Sequence, residues 1–227
     1  MVTRTSTSRR TAGLTHIQKY TEYKAPPLSP PYPPGTVAIQ GLAAAMLSPN
    51  SITTAALMWD NIMRVTRFDK DFGVVEGSGA GITEGSPLIA AYPLKFVGAV
   101  DTIVAVRGSA GLLTVSSWSF NEPGGLKSVD VAHDTPVIDV ALTDIRHYCH
   151  AFATATRNAE TLNLDVTVWE VDEHTGALSR KASLSAGPVN QVSACASPLG
   201  LVTACVTPDQ RLELRSWSIK RSTPGSM

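Results

Sequence analysis

The sequence has no apolar run approaching the 18 or so residues that a helical bilayer span requires, so no membrane association is expected. It also has no surplus of either charge: 19 basic side chains balance 19 acidic ones in 227 residues. A neutral chain offers no general attraction to phosphate backbones, which argues against nucleic acid as a partner. The same neutrality leaves little repulsion between copies, so a homodimer is an open alternative to a monomer. Cysteine is scarce. Cys149, Cys195 and Cys205 make an odd number, too few for a disulfide framework, and Cys195 and Cys205 read as buried free thiols. No Asn-x-Ser/Thr sequon occurs, and residues 1–20 hold no apolar stretch of the kind a secretory signal needs, so the expected compartment is the cytoplasm. Arg4, Arg9 and Arg10 among serines and threonines would also suit an organellar transit peptide. Finally, a sustained period of 3.6 is missing, which argues against a helical fold.

What is present is a repeat. Leu212-Glu213-Leu214-Arg215-Ser216-Trp217-Ser218-Ile219 follows the pattern apolar-x-apolar-x-small-aromatic-x-apolar, which returns at residues 113–120 and 164–171 and, worn, at 63–70. The aromatic of each copy is Phe68, Trp118, Trp169 and Trp217, close to fifty residues apart. Self-similarity at such a period marks a propeller or a solenoid. Module starts at Val37, Leu88, Val137 and Val189 keep the same spacing, and four strand-like runs follow each of the middle two. In the second module these runs are 88–94, 102–107, 112–120 and 126–131; in the third they are 137–142, 148–156, 162–171 and 177–184. The alanines of 41–47 read as an inner strand.

Alternation along a strand sends Leu212 and Leu214 to one face and Trp217 and Ile219 to the other. A sheet apolar on both faces must be covered on both, as a propeller blade is by its neighbours; a two-layer sandwich would keep one polar face. The expected fold is therefore all-β, a β-propeller of about four four-stranded blades at 37–87, 88–136, 137–188 and 189–220. Residues 1–12 and 221–227 are expected to be tails. Residues 26–36, rich in proline, read as a stiff connector. The last module is short by one strand, and 13–25 is expected to complete it from the amino terminus. The alternatives are half of a larger ring formed by a dimer, or a fragment.

The segments Leu201-Val202-Thr203-Ala204, Leu212 to Ile219, and Val166-x-Val168-Trp169-x-Val171 followed by Gly176-x-Leu178-x-Arg180 resemble blades of large repeat-type bacterial β-propeller proteins of undefined activity. The likeness covers most of 88–220 and rests on structural positions. It implies a fold and transfers no catalytic residue.

Chemistry-bearing residues are sparse. The tryptophans invite a lectin reading, but each lies among apolar neighbours and is expected to pack between blades, its indole N–H on a buried acceptor. His147-Tyr148-Cys149-His150 offers too few convergent ligands for zinc. His133-Asp134 has no nucleophile elbow to serve and reads as a turn before Pro136. Gly77-Ser78-Gly79-Ala80-Gly81 matches neither a dinucleotide fingerprint nor a P-loop. No catalytic residue, metal site or cofactor is therefore assigned. Arg107 and Arg157 share one module position, at the end of the second strand near one rim, and are the candidate binding residues. The expected function is a non-enzymatic binding or scaffolding module for a protein or glycan partner. A lectin-like propeller is the alternative, and a hydrolase or lyase with an axial site the third reading.

Overall fold

A computed structural model of the chain describes residues 2–4, 20–22, 39–48, 51–58, 63–69, 74–76, 89–93, 102–108, 110–119, 127–145, 150–198 and 200–219. The chain divides into two compact units, Met1–Val37 and Ala38–Met227. In the first, β1 (Val2–Arg4) pairs antiparallel with β2 (Tyr20–Glu22). The expectation that all of 1–12 is unstructured therefore fails for these three residues, which find a backbone partner sixteen or more positions on. Most of the predicted closing strand 13–25, the proline-rich connector and the end 221–227 lie outside the described residues.

The second unit is all-β, and its described residues contain no helix. The first sheet is β3 (Ile39–Ser48), β4 (Ser51–Met58), β5 (Met63–Asp69) and β6 (Val74–Glu76), in that order. The second and third sheets share a strand. They comprise β7 (Ile89–Pro93), β8 (Thr102–Arg107), β9 (Leu112–Ser119), the long β10 (Lys127–Asp144), β11 (Ala151–Asn158), β12 (Asn163–Val171) and β13 (Leu178–Pro188). Residues 127–136 of β10 pair with β9 and residues 137–144 with β11, so one strand ends the second sheet and begins the third. The change of partner falls at Pro136–Val137, where proline removes one ladder donor. The fourth sheet is β14 (Gln191–Ser197), β15 (Gly200–Val206) and β16 (Leu212–Ser218). The alanine-rich 41–47 forms part of β3, a strand as expected but not a tightly packed one, since Leu42 and Ala44 are exposed.

The sheets are greasy on both faces because they stack on one another. β9 is buried at seven consecutive positions from Leu113 to Ser119. Side chains on its two faces therefore all lack solvent, which a strand at the surface of a two-layer sandwich could not achieve. One core joins the second sheet to the third through Ile103, Ala105, Leu113 and Val115 on one side and Phe152, Trp169 and Val171 on the other. A second joins the third sheet to the fourth, through Ala153, Ala155, Leu164 and Val166 facing Leu201, Cys205, Trp217 and Ile219. At both contacts the back face of one sheet, carrying the aromatic, meets the forward face of the sheet before it.

The aromatics behave as their neighbours in sequence dictate. Trp169 is buried, stacks on Phe152 with ring centroids 6.2 Å apart, and donates its indole N–H to Thr154 Oγ1 at 2.9 Å. Trp217 makes the corresponding bond to Thr203 Oγ1, also at 2.9 Å. In the second sheet the corresponding position is Val104, which cannot accept, and Trp118 turns instead to Ser116 Oγ at 2.8 Å. A buried indole needs such an acceptor, and each sheet supplies a hydroxyl within its own strands. Cys205 is buried as expected. Cys195, by contrast, is exposed, and both are free thiols. They sit on opposite faces, because Cys195 pairs with Val202 and Cys205 with Val192.

Candidate functional site

One end of the stack is built from the turns between the second and third strands of successive sheets. Each turn contains a residue with positive φ at the same module position: Gly111 (φ 76), Leu162 (φ 61) and Gln210 (φ 63). That conformation tilts the residue's carbonyl out of the hairpin. In two sheets the crossover strand uses it: Val137 N–H donates to Gly111 O at 2.8 Å and Val189 N–H to Leu162 O at 2.9 Å. Turn and crossover are thereby locked together at this end. Around the second turn Asn158 Oδ1 accepts the N–H groups of Glu160 and Thr161, and in the third Thr207 Oγ1 takes that part by bonding the backbone of Arg211. Asn and Thr fit there because their short side chains mimic a turn of backbone.

Arg107 and Arg157 enter these turns from matching positions. Arg107 lies opposite Leu113 and Arg157 opposite Leu164, each at the last step of its ladder. Both are half-buried rather than fully presented to solvent, and the Nε of each is buried without a hydrogen-bond partner. Arg157 Nη1 donates to Asn190 O at 3.2 Å, reaching forward to the fourth sheet. The Arg107 guanidinium lies over Gly111, with Nη2 3.7 Å from where a Cβ would stand. A Cβ at residue 111 would meet the guanidinium at ordinary contact distance, so what calls for glycine there is the positive φ.

The other end carries a different cluster. Glu173 bridges His150 (Nε2 at 3.3 Å) and His174 (Nε2 at 3.5 Å). Asp172 Oδ1 accepts the N–H groups of His174 and Thr175 and the Thr175 hydroxyl, and these bonds hold its carboxyl below the usual carboxylate range. Among the described residues no three of His, Cys, Asp and Glu gather to hold a metal ion. His133 Nδ1 lies 3.1 Å from Thr114 Oγ1, and Asp134 forms an ion pair with Arg180 at 2.8 Å, so the two neighbours part company and make no dyad. His147 to Cys149 and the segment 77–81 lie outside the described residues.

No family model and no curated protein matches the sequence. Solved structures do. The chain is similar to the SapL1 lectin in complex with alpha methyl fucoside, at 15% identity and TM-score 0.50 over 81% of this chain and 60% of that one. It is similar to BBS1N in complex with ARL6DN, at 13% identity and TM-score 0.51 over 89% and 57% of the respective chains. A third is the fucose-specific lectin from Aleuria aurantia, at 11% identity and TM-score 0.50 over 80% and 64%. These are proteins of the β-propeller type. The fold is a β-propeller. At such identities the likeness speaks for the fold alone, and this chain spans about 60% of the length of the structures it matches.

Sequence reasoning found the packing role of the tryptophans and the shared ladder-end position of Arg107 and Arg157. It missed the repeated positive-φ residue, which glycine signals in the second module but leucine and glutamine conceal in the third and fourth. The only available signal was alignment: Gly111, Leu162 and Gln210 fall at one place relative to Trp118, Trp169 and Trp217.

Proposed function

We propose that the chain is a non-enzymatic binding or scaffolding module that offers the turn-bearing end of its blades to a macromolecular partner, protein or glycan. The observation that carries this reading is the recurrence of a half-buried arginine, Arg107 and Arg157, at one position of adjacent blades, each with an Nε that the fold leaves unpaired. The exposed part of such a half-buried guanidinium suits a partner carrying carboxylate, phosphate or hydroxyl oxygens. Propellers commonly bind where loops from successive blades converge.

A carbohydrate reading draws support from the fucose-binding lectins among the similar structures. It must rest on these arginines and their loops, since Trp118 and Trp169 are buried and cannot serve as sugar platforms. The test pairs two measurements on the wild-type chain and the Arg107→Ala/Arg157→Ala variant: binding to a glycan array that includes fucosides, and affinity capture from host-cell extract. The proposal expects at least one saturable ligand whose binding falls tenfold or more in the variant. Ligands bound equally by both forms would overturn it, and so would the absence of any saturable ligand.

A further inference from the structure

The four sheets can be compared position by position. Residues five before the aromatic are Met63, Leu113, Leu164 and Leu212, with relative exposures of 0%, 1%, 0% and 74%. Residues three before it are Val65, Val115, Val166 and Leu214, at 0%, 0%, 5% and 68%. In the first three sheets this forward face is sealed by the next sheet, and in the fourth it is open. Its outward side is continuous: Leu214 lies opposite Ala204 and Ser193, and Ser216 opposite Val202 and Cys195. Gln210 repeats the turn conformation of Gly111 and Leu162, yet among the described residues no crossover N–H meets its carbonyl.

At the other end of the series the first sheet has a back face that is half-buried on β4 and β5 and open along β3. Phe68, Thr66 and Arg64 lie opposite Ile52, Thr54 and Ala56, all half-buried, and these lead to Ala44 and to Leu42, which is 62% exposed. The chain therefore leaves open one forward face and part of one back face, the two halves of the seam it makes internally. The exposed parts of the two faces, Leu212 and Leu214 on one and Leu42 and Ala44 on the other, do not cover each other within one molecule.

We propose that a second copy of this chain covers them. The fourth sheet of one copy packs its forward face, centred on Leu212 and Leu214, against the back face of the other's first sheet, around Leu42 and Phe68, and a two-fold rotation repeats the contact. Two heterologous contacts close the ring, whereas a head-to-tail contact that failed to close would run on as a filament. The new seams continue a packing already present between the second, third and fourth sheets. Zero net charge removes the long-range repulsion that would oppose them. An exposed apolar surface of this kind is what an association site presents before it is covered.

The experiment is light scattering on size-exclusion fractions of the full chain and of two variants, Leu214→Arg and Leu42→Arg, alone and mixed. Wild type is expected at twice the 24.0 kDa chain mass, and each variant alone as a monomer. An equimolar mixture of the two variants should recover dimer, because one of its two seams then joins a wild-type forward face to a wild-type back face. Circular dichroism of each variant checks that the sheets are intact; a variant that unfolds is replaced by Leu212→Asp or Ala44→Arg, read in the same way. Monomeric wild type at all concentrations would overturn the proposal. So would a dimer that survives Leu42→Arg but not Leu214→Arg, since that pattern belongs to two forward faces meeting each other.

Discussion

The third and fourth sheets of this protein are close copies in sequence and opposites in environment. Leu164-x-Val166 and Leu212-x-Leu214 occupy the same steps of the same strand, yet the first pair lies within the core and the second is in water. Trp169 and Trp217 make the same bond to a threonine at the same distance, but only Trp169 is fully buried, with a sheet and Phe152 against it. Local pattern thus determines which strand forms and which way its side chains point. Whether those side chains are stabilising depends on whether another sheet follows.

The comparison can be broken most forcefully at the tryptophans. Trp169→Ala should cost about 3–5 kcal/mol in denaturant unfolding, the usual range for a buried aromatic, and Trp217→Ala clearly less. Equal losses would erase the difference between the two environments. The seam itself is held by carboxylates as well as by grease. Asp130 Oδ2 accepts Leu178 N–H at 2.7 Å across the second and third sheets, and Asp139 Oδ2 accepts Val192 N–H at 3.0 Å across the third and fourth. Removing a charge-assisted acceptor from a half-buried amide predicts a loss of about 1–3 kcal/mol for Asp139→Ala. The exposed ion pair Lys181–Glu170, at 2.8 Å, should be worth less than about 1 kcal/mol in the same assay.

The turns offer a smaller contrast, of opposite sign. Leu162 holds a φ of 61 where the second sheet has glycine. Relieving that strain should make Leu162→Gly more stable than wild type by up to about 1 kcal/mol. Thermal unfolding midpoints of Leu162→Gly and Gly111→Ala should move in opposite directions. Smallest of all is the effect at Asp172. Its folded-state carboxyl titrates below the ordinary value because Thr175 and His174 donate to it. The resulting stabilisation is therefore present above the ordinary carboxylate pKa and is lost as the pH falls through the lower folded value. Carbon-detected NMR titration should place Asp172 below the ordinary aspartate value, and Asp172→Asn should remove that part of the acid dependence.

The strand pattern was legible because alternation and a fifty-residue period are properties of the chain itself. Thr102–Arg107 falls at the predicted positions, and the strands of the third module lie within a few residues of theirs. The packing role of the tryptophans was legible for the same reason: apolar neighbours on both sides leave an indole nowhere else to go. The exposure of Cys195 was not, since it depends on which face of the fourth sheet lacks a neighbour, and both faces read as apolar. The turn conformation at Leu162 and Gln210 was hidden because neither leucine nor glutamine signals a positive φ. Arg107 and Arg157 were placed by their shared spacing. Their partial burial and the bond from Arg157 to Asn190 came only with the neighbouring sheet.

The central claim is that identical strand positions gain their worth from the sheet stacked upon them. Its most direct test is the pair Leu164→Ala and Leu212→Ala, each made in the Leu214→Arg background so that association does not enter, and compared by urea unfolding. A loss of about 2–5 kcal/mol for Leu164 is predicted, against a change within about 0.5 kcal/mol for Leu212. Comparable losses at the two positions would contradict it.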